Sequence, residues 1–276
     1  MIFVGTSGFQ YRDWVPIFYP RSLDPSLWLR YYSRHFGCCE INFTHCQIPE
    51  PFTIQQLAEE TGGGLQFVFR IPSRLVESHP ENPELVRRFA AALWPLKEAG
   101  QIAGLLVPFP SEFGFFRDNF QRLCLLRDSL EGMTLIAEFG CSDWLTSRAA
   151  RHLSAEHIAL ACIDGGTSLQ DRTFFCATAG LAYVRFQGRN RARWTKKDGS
   201  AQHNYLYSRA ELSAAVPEIR RLENESERVL VLMNNPWHGQ AAVNALMLLE
   251  VLETGRINQG QSTRASATVG ISNDPN

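Results

Sequence analysis

The chain of 276 residues lacks most of the signatures that would name a chemistry outright. No HxH or HExxH spacing gathers its seven histidines, so the sequence signals no metal site. Neither a phosphate-binding P-loop nor a dinucleotide glycine fingerprint follows any apolar segment, and no cofactor is expected. The G-x-S-x-G elbow of serine hydrolases is missing, because Gly5-Thr6-Ser7-Gly8 has the wrong spacing. No apolar run is long enough for a bilayer, which argues against a membrane partner. Charge of either sign is not in excess: 27 Lys and Arg face 28 Asp and Glu, so any attraction for anions has to be local. Seven cysteines, an odd number without CxxC spacing, suggest reduced thiols. Ile2-Phe3-Val4 enters a strand at once, without the regions of a signal peptide. The expected location is the cytoplasm.

What the chain does have is alternation of short apolar segments with helical stretches. Candidate strands are Ile2–Gly5, Cys38–Thr44, Leu65–Ile71, Gly104–Phe109, Thr134–Phe139, Ile158–Asp164, Leu181–Gln187 and Arg228–Asn234. Helix punctuation falls between them: Asp24-Pro25 and Asn82-Pro83 as cap-then-proline starts, Gly62-Gly63-Gly64 as a stop, and Pro95 as a kink or division, while a helix near Arg209–Leu222 contains Pro217. Strands alternating with helices pair in parallel. Eight such units predict a single-domain α/β protein, a (β/α)₈ TIM-like barrel over residues 1–255. An open doubly wound sheet is the competing topology. The last helix is expected near Gly239–Glu253, and 256–276, polar and without periodicity, reads as a flexible C-terminal tail.

Period-two alternation places the polar side chains. In Cys38–Thr44, Cys39, Ile41 and Phe43 form one face while Glu40, Asn42 and Thr44 line the other. A carboxylate in a strand of buried composition needs a partner or a task. Arg70, Glu138, Asp164, Arg185, Gln187, Asn234 and Asn235 likewise close their strands, so these polar groups are expected at the C-terminal mouth where barrel active sites lie. Burial alone would favour the protonated form of Glu138, unless Arg70 or Arg185 lies against it. An ion-pair network that merely closes the barrel is the structural alternative. After the seventh strand, Gly188–Lys197 carries five basic residues in ten positions. Such a loop suits a phosphate site, a solvated surface, or, with Trp194, Tyr205 and Tyr207 interleaved, a nucleic-acid groove. His45, His79 and His238 follow strands and could reach the mouth; His35, His152 and His157 read as structural.

Several stretches together resemble the YecE-like family, catalogued as domain of unknown function seventy-two. They are Gly5–Phe9 with Tyr11 and Trp14, Phe18-Tyr19-Pro20, Tyr31-Tyr32-Ser33 before Phe36, Glu40-Ile41-Asn42 with Thr44, and Tyr183-Val184-Arg185 with Gly188. Tyr205, Tyr207-Ser208 before Glu211-Leu212, and Asn234-Asn235 with Ala242 and Asn244-Ala245 complete the pattern. The resemblance covers nearly the whole chain up to the tail and implies a TIM-like barrel, without implying a reaction. This chain departs from the family's pattern as a divergent member. Arg70 stands for a usual lysine, and Phe139, Gly140 and Cys141 follow Glu138 in place of an arginine and histidine. Pro108 stands for a glutamine and Gln187 for a histidine.

The leading expectation is an enzyme acting on a small, polar, anionic molecule, phosphorylated ones included. Glu138, Glu40 and Arg185 are the candidate catalytic residues. Thr6, Asn42, Arg70, His79, Asp164, Gln187, Arg189, Tyr205, Asn234 and Asn235 are the candidates for substrate binding. Hydrolysis, isomerisation and elimination all stay open. A non-catalytic ligand-binding or regulatory barrel and a nucleic-acid-processing barrel are the alternatives.

Overall fold

In the computed structural model, described for residues 1–45, 48–77, 83–130, 132–165, 174–190 and 203–268, eight parallel strands close into a barrel. They are β1 (Ile2–Ser7), β2 (Cys38–Ile41), β3 (Gln66–Arg70), β4 (Ile102–Phe109), β5 (Leu135–Phe139), β6 (Ala159–Gly165), β7 (Leu181–Gly188) and β8 (Arg228–Met233). Each strand pairs with the next in sequence and β8 returns to β1, so no strand edge is left to solvent. The open-sheet alternative is thereby excluded.

Register separates two faces. Partners at one level point the same way, as in Gly5 with Cys38, Ile163 with Arg185 and Tyr183 with Leu230. Cys38, Val68, Leu106, Ile136, Ala161, Leu230 and Leu232 fill the barrel interior as one apolar cluster. The opposite strand faces (Cys39, Ile41, Phe67, Phe69, Val184 and Phe186 among them) join the helices in the larger core. Inside the barrel, size is limiting. A Cβ on Gly5 would lie 1.8 Å from the Cys38 carbonyl oxygen, and one on Gly104 would lie 2.7 Å from Ile136.

Helix ends follow their local chemistry. Asp24 accepts from Ser26 N at 2.8 Å, starting a single 3-10 turn before the helix Trp28–Tyr32. Gly62 ends Pro51–Thr61 with φ 57°, a conformation that costs a glycine nothing. Pro95 divides rather than kinks its stretch, separating Pro83–Ala92 from Trp94–Glu98. Ser208 and Glu211 form a reciprocal capping box at the start of Arg209–Glu225, a helix that tolerates Pro217 within it.

Several element boundaries differ from the sequence expectation, and two of the differences bear on the site and on the tail. The second strand stops at Ile41, and Phe43–His45 turns into a 3-10 helix. Alternation therefore breaks: Phe43 is 39% exposed, and Thr44 is buried with its hydroxyl on the Arg70 carbonyl at 2.8 Å. The final helix runs Gln240–Thr268, well past Glu253. Beyond 255 only the main chain is described, and 269–276 lie outside the described residues. Among the described residues no helix is long and apolar enough to cross a membrane.

Because the Gly5 contact is with main chain, neither strand can yield without losing ladder hydrogen bonds. Gly5→Ala is therefore expected to destabilise the fold by about 3 kcal/mol or more, read from urea denaturation. A variant as stable as the parent would show that β1 and β2 are not packed at this separation.

Candidate active site at the barrel mouth

One polar layer lies above the apolar interior, at the C-terminal ends of the strands. Glu40, from β2, has no solvent exposure, and each of its oxygens is engaged. Oε1 accepts from Ser7 Oγ at 2.6 Å and from Arg185 Nη2 at 2.8 Å, while Oε2 accepts the hydroxyl of Tyr183. Arg185, from β7 across the barrel, donates through Nη1 to Glu138 Oε2 at 2.6 Å. One guanidinium is thus shared by two carboxylates, from β2 and from β5. Glu138 keeps 19% side-chain exposure against 0% for Glu40. Gln187, next inward on β7, reaches Glu138 Oε1 at 3.4 Å.

The charges explain how the layer titrates. Burial works against the charge of Arg185, but Glu138 and Glu40 together outweigh it and hold its pKa above the ordinary value. Tyr183 is driven well above the usual phenol by burial, then by the charge of Glu40. Tyr11, whose hydroxyl donates to the Ser7 carbonyl at 2.9 Å, is pushed up to about 12 by burial and Glu40.

Ser7 also fixes Asn42. Its single proton goes to Glu40, so its oxygen must accept from Asn42 Nδ2 at 2.9 Å. That orientation leaves Asn42 Oδ1 buried with no partner. Arg70 Nε and Arg185 Nε are likewise buried and unpartnered. Arg70 forms no ion pair among the described residues, and it ends β3 on the inward-facing register of Val68.

A second cluster lies outside the barrel wall. Asp164 shares its level with Phe186, an outward position, so it does not join Glu40 and Glu138. Its carboxylate takes a two-pronged contact from Arg189, Nε at 2.9 Å and Nη2 at 2.8 Å, plus the Tyr207 hydroxyl at 2.9 Å. Arg189 also meets Glu211 at 3.3 Å, and Tyr205 donates to the same oxygen at 2.5 Å. Tyr205 is pushed up to about 12 by burial and then by Glu211.

Asn235 and Asn244 hold the segment that crosses above β7 and β8. Asn244 accepts from Tyr207 N at 3.0 Å and donates to Tyr207 O at 2.8 Å. Asn235 Nδ2 donates to Tyr205 O at 2.7 Å and to Asn244 Oδ1 at 2.8 Å. Gln240 adds a contact to Asn204 at 3.0 Å. This clamped segment begins at His203, which is hydrogen-bonded to the Asn234 main chain, and whose pKa is lowered by burial and then by the charge of Arg185.

The structure therefore brings together Glu40, Asn42, Glu138, Arg185 and Gln187, with Arg70 on an inward register beside them and Asn234, one residue past β8, held by its N–H on the Phe186 carbonyl at 2.7 Å. It separates others. Thr6 faces out from β1, with its hydroxyl on Gly8 O at 2.7 Å and its N–H on Tyr32, so Ser7 is the inward neighbour that the glycine-rich turn concealed. Asp164, Arg189 and Tyr205 belong to the outer cluster, and Asn235 to the segment clamp. His79 and the loop 191–202 lie outside the described residues. Sequence reading passed over Ser7, Tyr183 as a ligand of Glu40, and His203. Alternation pointed to the first two; His203 had no signal, since it lies 15 residues beyond β7. Among the described residues no three His, Cys, Asp or Glu side chains are grouped as metal ligands would be.

A closed parallel barrel with its buried charges at the C-terminal mouth defines a TIM-like barrel protein. The family described as "Protein of unknown function DUF72" matches residues 3–267, and the chain belongs to that family. It is 24% identical over 271 residues to the UPF0759 protein YunF of Bacillus subtilis (strain 168), covering 92% of this chain and 95% of the relative. Among solved structures it is similar to a DUF72 family protein from Thermotoga maritima MSB8, with TM-score 0.81, 31% identity, and 92% and 99% of the two chains covered. A DUF72 family protein from Enterococcus faecalis V583 shares the fold, with TM-score 0.80, 22% identity, and 92% and 96% covered.

Two outcomes follow from this layer. Arg185→Met leaves two carboxylates without their shared cation and should cost about 3–5 kcal/mol at neutral pH, measured by urea denaturation. A loss below about 1 kcal/mol would mean that water reaches the pair freely. His203 titrates lower in the folded chain than at its unfolded value of about 6.5, so on acidification the unfolded chain takes up the proton first. Stability from this group is present above that pH and declines as pH falls through it. His203→Gln should therefore flatten the loss of stability between about pH 7.5 and 5, and an unchanged slope would rule the histidine out as a contributor.

Proposed function

We propose that the chain is an enzyme acting on a small, polar, anionic molecule at the barrel mouth, with Glu138 as the general acid or base. The observation that carries this reading is the inequality between two carboxylates bound to one arginine. Glu40 is sealed and fully engaged, whereas Glu138 keeps solvent access and a weakly held second oxygen. A group that exchanges protons with a substrate has to be reachable by it. Glu40 then serves as a positioning residue: with Ser7 and Tyr183 it fixes Arg185, and Arg185 fixes Glu138.

Arg185 is a poor choice for the substrate's anion, because its charge already lies between two carboxylates. Arg70, without an ion pair among the described residues and on the inward register, takes that role in this reading. The unpartnered Asn42 Oδ1 and Arg70 Nε add to the case for a polar occupant, since a buried polar atom without a partner costs about 1–3 kcal/mol. The rival is a non-catalytic ligand-binding barrel, favoured by the full engagement of Glu40 and by the two carboxylates that already flank Arg185.

A thermal-shift screen of phosphate, sulfate, sugar phosphates and nucleotides tests the reading, because a ligand of the native state raises its melting temperature. Arg70→Ala should abolish the shift. Once turnover of a hit is detected, Glu138→Gln should keep the shift and lower turnover by roughly 10²-fold or more. Full turnover in Glu138→Gln removes that residue from the mechanism. Anion shifts that persist in Arg70→Ala would assign the anion elsewhere.

A further inference from the structure

Two thiols take no part in the mouth. Cys162 is buried on the outer face of β6, and Cys176 is half-buried in the segment 174–179 that leads into β7. The Cys176 N–H donates to Cys162 Sγ at 3.4 Å, and the same sulfur lies 3.4 Å from the Cys176 carbonyl oxygen. Cys162 sulfur therefore rests on the Cys176 peptide.

The segment is held at this position by its neighbours. Thr178 Oγ1 accepts from Leu160 N at 2.8 Å and donates to Ile158 O at 2.7 Å. Arg221 donates to Phe175 O at 2.9 Å, placing a cation beside the pair. The nearby Cys176 side chain, opposed by burial and aided by the Cys176 N–H and Arg221, holds the Cys162 thiol below the ordinary range. Cys176 is pushed up by Cys162 and by burial. By contrast, Cys38 and Cys39 are consecutive on one strand and face opposite sides, and burial drives both thiols up.

We propose that Cys162 and Cys176 form a dithiol that a small disulfide oxidant, of the oxidised-glutathione class, converts to an intramolecular disulfide. Cys176, the more exposed thiol, gives its proton to solvent and attacks one sulfur of the oxidant. The oxidant's S–S bond breaks, and the first glutathione leaves as a thiolate that is protonated. Cys162, having lost its own proton, then attacks the Cys176 sulfur of the mixed disulfide and releases the second glutathione. The protein loses two electrons, and one glutathione disulfide becomes two thiols. The second step is intramolecular between two residues already in contact, which is why the mixed disulfide does not persist. The product ties β6, two residues before Asp164, to the segment that leads into β7.

The test treats the reduced full chain, native and at mildly alkaline pH, with oxidised glutathione, followed by alkylation, peptide mapping by mass spectrometry and thiol titration after denaturation. The parent should fall from seven thiols to five, with one linked peptide joining Cys162 to Cys176. Cys162→Ala, or Cys162→Val if alanine does not fold, should stop at a glutathione adduct on Cys176. Cys176→Ala should leave Cys162 unmodified. The proposal is overturned if the parent keeps seven thiols, if the parent accumulates the same stable adduct as the Cys162 variants, or if the linkage forms only after unfolding in urea.

Discussion

The guanidinium of Arg185 holds the mouth of this barrel together. It reaches across the interior from β7 and binds a carboxylate on β2 and another on β5, so three strands that are not all neighbours share one charge centre. Burying three charges costs several kcal/mol for each ion, and only short, well-oriented contacts offset it. Those contacts are available because the strands are rigidly spaced by the ladder and because the interior below is filled by small and apolar side chains. Gly5 and Gly104 admit the close packing that places β2 and β5 correctly. Ser7 and Tyr183 then satisfy the remaining lone pairs of Glu40, and Ser7 in turn dictates how Asn42 is turned.

This hierarchy separates support from opportunity. Glu40 is the most constrained carboxylate of the mouth, and Glu138 the more accessible one, although both come from inward positions of buried strands. The same division recurs outside the wall. There Asp164 anchors Arg189 and Tyr207, while Asn235 and Asn244 clamp the segment 203–208. Polar residues that share strand ends thus serve two different structures, one inside the barrel and one on its rim. The rim delivers His203 to the neighbourhood of Arg185, whose charge disfavours the protonated ring. A chain of the DUF72 family consequently carries, at one end of its barrel, an ion network that shares one arginine between two carboxylates, an arginine without an ion pair among the described residues, and a histidine whose protonated form is disfavoured.

How much of this was legible in the chain depended on the range of the interaction. The eight-strand barrel was, because alternation of apolar strands with capped helices is written locally and each element carries its own stop. The inward placement of Glu40, Glu138, Arg185 and Gln187 was legible for the same reason: period two assigns a face once the strand is known. Alternation misled where a strand ended early, as at Phe43 and Thr44, because the 3-10 turn after Ile41 cancels the count. Position near a strand end was no guide at Asp164, one residue before the end of β6 and on its outer face, or at Thr6, whose neighbour Ser7 takes the inner one.

By itself, then, the sequence determined the number and order of the elements, the identity of the charged groups near the strand ends, and the absence of familiar metal and nucleotide signatures. Only the tertiary structure decided which charges meet. Contacts between Glu40 and Arg185, 145 residues apart, or between Cys162 and the Cys176 peptide, follow from barrel closure, strand register and the path of connecting segments. None of these is encoded within a local window. The same holds for His203, whose position comes from amides just past β8 and on the last helix rather than from any pattern around it. Local periodicity gives direction relative to a strand; proximity between strands is settled when the sheet closes.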